Sequence, residues 1–161
     1  METIPISIGE LFDKYTILKI KQKKITDVKK LDFIKTELSY LQPLTEKYEI
    51  EKDLIIRLHK INESLWSIED KIREKEGKKE FDEEFIELAR SVYTTNDKRS
   101  IVKSIINQKM KSPIAEVKSY SQYNNKTVIK KDLSVKDLLS LVEKNKKEKN
   151  FSECIKYMKK L

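Results

Sequence analysis

Residues 61–107 read INESLWSIEDKIREKEGKKEFDEEFIELARSVYTTNDKRSIVKSIIN, and this stretch decides the fold. Its first third continues a seam begun upstream. Leu54, Leu58, Ile61, Leu65, Ile68 and Ile72 keep an unbroken three-four spacing, which predicts a helix from about Glu51 to Glu76 with one buried face. Gly77 is expected to cap its C-terminus. A second stripe lies beside the seam: His59, Asn62, Trp66, Glu69 and Arg73 share one flank of the same helix. Residues 77–80 make the turn. Phe81 and Asp82 open the next helix, with Phe85, Leu88, Ala89 and Val92 on its inner face. A turn this short sets the two helices antiparallel and in contact. Thr94-Thr95-Asn96-Asp97 supplies good capping residues. At ~100° per residue, Val92 and Ile101 lie about half a turn out of phase. The spacing therefore predicts a break at residues 94–96 and a separate helix to about Met110. The alternative is one long helix packing neighbours on both sides.

Upstream, Ser7 and Glu10 form a capping box, and Ile6 and Leu11 are placed for a hydrophobic staple. Ile8, Leu11, Tyr15, Leu18 and Ile25 give that first helix a buried face. Asp27 caps a second helix through Leu31, Ile34, Leu38 and Leu41, expected to end or kink near Leu41 because Pro43 follows. Downstream, Ser112-Pro113 closes the helical part, and residues 121–133 read as a linker. Ser134 and Asp137 begin a further capping pattern with Leu138, Leu139, Leu141 and Val142. Asn150 caps a last segment with Phe151, Ile155 and Met158, and the pair resembles one hairpin of the tetratricopeptide type. The expected fold is all-α: an antiparallel bundle of four to five helices over 1–120, then the linker and a C-terminal helical hairpin over 134–161.

Composition excludes several classes. A chain of 161 residues with 2 Gly, 3 Pro and 39% charged residues is long enough for a core and poor in breakers. No apolar run approaches the ~20 residues of a membrane span. METIPISIGE lacks a basic segment followed by an apolar one, so it is no signal peptide, and a cytoplasmic location is expected. One Cys, Cys154, permits no internal disulfide or Cys-based metal site, and one His, His59, supports neither a zinc site nor a Ser-His-Asp triad. No metal and no cofactor is expected. Glu69 and Asp70 are adjacent and point about 100° apart, so they are no acid/base pair.

The net charge of +8 invites a nucleic-acid reading. However, residues 1–118 carry 24 basic against 22 acidic side chains, while 119–161 carry 11 against 5. The excess belongs to the tail, and nucleic-acid binding ranks as a second alternative. The chain is Lys-, Asn- and Ile-rich, as an AT-rich genome imposes. Arg occurs only at 57, 73, 90 and 99. Where Lys would serve, this composition supplies Lys. A retained Arg points to a planar two-pronged contact with carboxylate or phosphate.

The ligand-binding candidates are accordingly Trp66, Glu69, Arg73, Arg90, Tyr93, Asn96, Asp97, Arg99 and Lys103, with open amides at the expected 94–96 break as an anion site. The bland reading is that Arg73 and Arg90 pair with Glu69, Asp70 or Glu87 on a solvated face. The leading functional expectation is a non-enzymatic binding or assembly module that recognises an anionic small molecule or a partner protein. The alternative is an enzyme acting on a phosphorylated or carboxylated metabolite in an Arg/Lys-lined helical pocket. A homo-oligomer stays open.

The segments ISIGELFDKYTIL, INESLWSIEDKIR, FIELARSVYTTNDKRSIVKSIIN and SPIAEVKSY resemble a bacterial family of small helical proteins of unknown function, over roughly residues 4–120. By the look of the motif, the matching positions include Glu10, Asp13, Trp66, Glu69, Asp70, Arg73, Glu87, Arg90, Tyr93, Asn96, Asp97, Arg99, Lys103, Asn107, Lys118 and Tyr120. The resemblance implies a self-contained domain and an association with surface-polysaccharide gene sets. It implies no activity, and it leaves the tail after about residue 123 outside.

Overall fold

A computed structural model of the chain describes residues 3–119. These fold into four helices with no strand among them: α1 Ile8–Lys24, α2 Val28–Thr45, α3 Lys52–Lys78 and α4 Glu83–Lys109. The expected linker and C-terminal hairpin lie outside the described residues. None of the helices is long and apolar enough to cross a membrane.

Three of the four helix starts are fixed by side chains that accept an orphan amide. Ser7 Oγ accepts from the Glu10 amide at 3.2 Å, Asp27 Oδ1 from Lys30 at 2.9 Å, and Asp82 Oδ1 from Phe85 at 3.0 Å. α1 ends at Lys24, with Ile25 as its C-cap.

Two ends differ from the sequence expectation. α2 does not stop at Leu41; it runs through Pro43 to Thr45. Proline removes its own amide bond and its ring crowds the carbonyl four residues back, but here it stands near the helix end, and the last turn closes around it. The Thr45 hydroxyl donates to the Gln42 carbonyl at 2.8 Å, and the Glu46 amide donates to the same carbonyl at 3.1 Å. Gly77 is not the cap of α3. It lies inside the helix, and Lys79 takes the left-handed position at φ 60°. That conformation costs a non-glycine about 1 kcal/mol, and Lys75 holds the turn against it. Its ammonium lies 2.8 Å from Glu84, 2.9 Å from Asp82 and 3.6 Å from Glu80.

The predicted break at residues 94–96 is also absent: α4 is continuous from Glu83 to Lys109, the long-helix alternative. The apolar phase is in fact kept. From Val92 the three-four spacing passes through Thr95 and Arg99 to Val102 and Ile106. The seam is only interrupted by two polar residues, and reading from Ile101 misplaces it. Nor do the threonines cap a new helix. Thr94 Oγ1 donates back to the carbonyls of Arg90 and Ser91, at 3.2 and 3.3 Å, the mid-helix habit of this residue.

α1 is the hub and packs against all three other helices. Leu11 and Leu18 face Ile34, Leu38 and Leu41 of α2, with Tyr15, Ile25 and Leu31 at the margin. Ile8, Phe12 and Ile20 are buried on the rest of its surface. α3 and α4 contribute Leu54, Leu58, Leu65, Val102, Ile105 and Ile106 to the core. Between Leu65 and Val102 no apolar side chain is buried. The outer part of the α3–α4 hairpin thus runs on without a core of its own.

Candidate functional site

The polar centre of the molecule is built where α1 crosses α3 and α4. α1 presents Gly9, Glu10, Asp13 and Thr16 within two turns, α4 presents Arg99, Lys103 and Asn107 at four-residue spacing, and α3 adds Asn62. The helices meet closely because Gly9 has no side chain. A Cβ there would stand 2.5 Å from the Lys103 carbonyl oxygen and 3.0 Å from Asn107 Oδ1. The Gly9 amide, one of the orphans at the start of α1, donates to Asn107 Oδ1 at 2.6 Å. The neighbouring Ile8 amide donates to Ser112 Oγ at 3.3 Å.

Asp13 is 4% exposed and Lys103 5%, so both charges sit within the fold. Asn62 Nδ2 donates to Asp13 Oδ1 at 2.7 Å and to Thr16 Oγ1 at 3.0 Å. Lys103 Nζ lies 2.6 Å from Glu10, 2.9 Å from Glu116 and 3.7 Å from Asp13, while Arg99 Nε lies 3.9 Å from Asp13. Burial alone disfavours the Lys103 ammonium. The hydrogen bonds that the ammonium donates to Glu10 and Glu116, with the charge of Asp13, outweigh it, and the pKa is held above the ordinary lysine value. A buried charge needs partners of this kind. Among the described residues, Asn62 Oδ1 is the one buried side-chain oxygen or nitrogen atom without a hydrogen-bond partner. Flipping the amide would turn its oxygen toward the Asp13 carboxylate, so the assignment is fixed by charge.

The predicted site residues divide into two groups. Arg99 and Lys103 join the buried cluster. Arg73 does not: it pairs within α3 with Glu69 at 2.8 Å and with Asp70 at 3.8 Å. Arg90 pairs within α4 with Glu87, and lies 3.6 Å from Glu83. These pairs are the ones foreseen for a solvated face. Trp66 is half-buried, with Lys24 Nζ at 6.0 Å from its ring centre. Tyr93 is exposed, and Asn96 and Asp97 are half-buried along α4. The amides of 94–96 are internal to a continuous helix, so the anion site expected at a helix start there does not form. Sequence reasoning does not single out Thr16 and Gly9 of the cluster. The available signal is the break in apolar pattern on α1, where Asp13 and Thr16 sit amid Leu11, Phe12 and Leu18.

Geometry therefore defines an all-helical module organised on one central helix, with an ionic cluster locking that helix to a long hairpin. The chain belongs to the family of unknown function DUF6165, whose sequence profile matches residues 2–138. The match extends past the end expected near residue 123. No curated protein and no solved structure matches the chain.

Proposed function

We propose that this protein is a non-enzymatic assembly module, a bundle of antiparallel helices that docks a partner protein along the outer α3–α4 hairpin. One observation carries this reading: between Leu65 and Val102 the hairpin fully buries no apolar side chain, and Ile68, Ile72, Phe85, Leu88 and Val92 on its inner face are only half-buried. Two helices cannot enclose such a face alone, and a further helix layer is the ordinary remedy. Phe81, Ile86 and Tyr93 add exposed apolar surface at 56%, 41% and 39%.

Of the two ligand classes considered, a partner protein fits better than an anionic small molecule. The cations of the buried cluster, Arg99 and Lys103, already face carboxylates, so an anion entering there would have to displace one.

A photo-crosslinking residue placed at position 86 of the full chain tests this. A protein adduct at 86, absent when the same group replaces exposed Lys60, is the expected result. No adduct at 86 in cells producing the protein rejects the reading.

A further inference from the structure

We infer that the partner of the outer hairpin is a second copy of this chain, paired through α4 about a two-fold axis. This rests on the assembly reading above and specifies the occupant.

The stripe involved can be followed along α4. Asn107 and Lys103 are buried under α1. Stepping back by alternating threes and fours, the same flank passes Ser100, Asn96, Tyr93, Ala89, Ile86 and Asp82. Tyr93, Ala89 and Ile86 on it are exposed. The flank that takes a helix at one end thus offers helix-packing spacing, uncovered, at the other.

The residues edging this stripe fit it to itself. With Ile86 and Ala89 as the two seam positions of one heptad, Glu83 and Arg90 occupy the same flanking position one heptad apart. They carry opposite charge. When two copies of α4 run antiparallel with Ile86 against Ala89 of the other copy, Glu83 of each chain lies beside Arg90 of the other, twice by symmetry. Ala89 is small enough to let the backbones approach and receive the Ile86 side chain. Within one chain Arg90 lies 3.6 Å from Glu83 Oε1 and pairs with Glu87, so the dimer shares or exchanges these exposed contacts for cross-chain ones, at little cost because exposed pairs contribute little.

Sedimentation equilibrium of the full chain and of two single variants, Glu83→Arg and Arg90→Glu, tests the inference. The expected results are a wild-type dimer and, for each variant alone, a dissociation constant raised about tenfold or more, because like charges then face each other twice. The helical signal should be unchanged, since both side chains are exposed, and the melting temperature should fall only as far as the lost dimerisation accounts for. Mixing the two variants should restore a dimer, because in the hybrid each of the two cross-chain contacts again joins one acidic and one basic side chain. Rescue on mixing cannot arise from pairing within one chain. A wild-type monomer at high micromolar concentration overturns the inference, as does a dimer indifferent to both reversals. If the chain is monomeric yet crosslinks another protein from position 86, the inference fails and the assembly reading stands.

Discussion

The side-chain oxygen of Asn107 accepts the backbone amide of Gly9 at 2.6 Å, across 98 residues of sequence. That bond sets the end of α4 against the start of α1 with backbone nearly touching backbone, and the ionic cluster of Glu10, Asp13, Asn62, Arg99 and Lys103 follows from the approach.

The two glycines of this chain should respond oppositely to alanine. Gly9→Ala places a methyl 2.5 Å from a backbone oxygen, which cannot rotate away. Overpacking of this kind costs about 1–3 kcal/mol. Gly77→Ala meets nothing within 4 Å inside α3 and should stabilise by about 0.5–1 kcal/mol. Urea unfolding of the two variants beside wild type checks both signs.

Lys103→Met removes the ammonium shared by Glu10, Asp13 and Glu116 and leaves the buried Asp13 carboxylate short of compensation. Removing one partner of a buried pair costs about 3–5 kcal/mol. Adding Asp13→Asn to it should recover part of that loss, which denaturant unfolding of the single and double variants measures.

The pH dependence of the same lysine has a definite sign. Its folded pKa lies above the ordinary value, so the folded state retains the proton longer than the unfolded chain. The stabilisation is complete below the ordinary lysine range and is lost as pH rises through the raised value. Wild type should therefore lose stability in alkali more steeply than Lys103→Met, which has no such proton to release. Denaturant unfolding from pH 8 upward measures the difference.

At the hairpin turn, the Lys75 hydrogen bond, helped by the Phe85 amide, holds the Asp82 carboxyl below its usual range. That contribution is present above the ordinary aspartate value and lost as pH falls through the depressed one. Asp82→Ala should fray the turn locally. Hydrogen exchange should speed up around residues 79–88 and stay slow near Leu58 and Ile106. Equal acceleration everywhere would contradict a local role.

Arg73→Ala should change stability by about 0.5 kcal/mol or less, since its side chain is 67% exposed and its partners are helical neighbours. Arg99, whose side chain is 27% exposed and which faces buried Asp13, should cost visibly more. The two melting curves separate the arginines that composition alone placed in one group.

The local elements are legible in the residues alone. Ser7, Asp27 and Asp82 announce helix starts because capping is a bond between near neighbours. Leu54, Leu58 and Leu65 announce a seam because three-four periodicity belongs to one helix. The solvated pairs of Arg73 and Arg90 are equally readable, since their carboxylates lie within two turns of the same helix. What depends on distant partners was settled by packing in three dimensions. α4 stays continuous because its seam passes through Thr95 and Arg99, and the latter is polar where it approaches Asp13 of α1. Gly9 matters because of a carbonyl in another helix. Lys103 belongs to a buried cluster because α1 covers that end of α4, while Arg73, near the end of α3, stays on a solvated face.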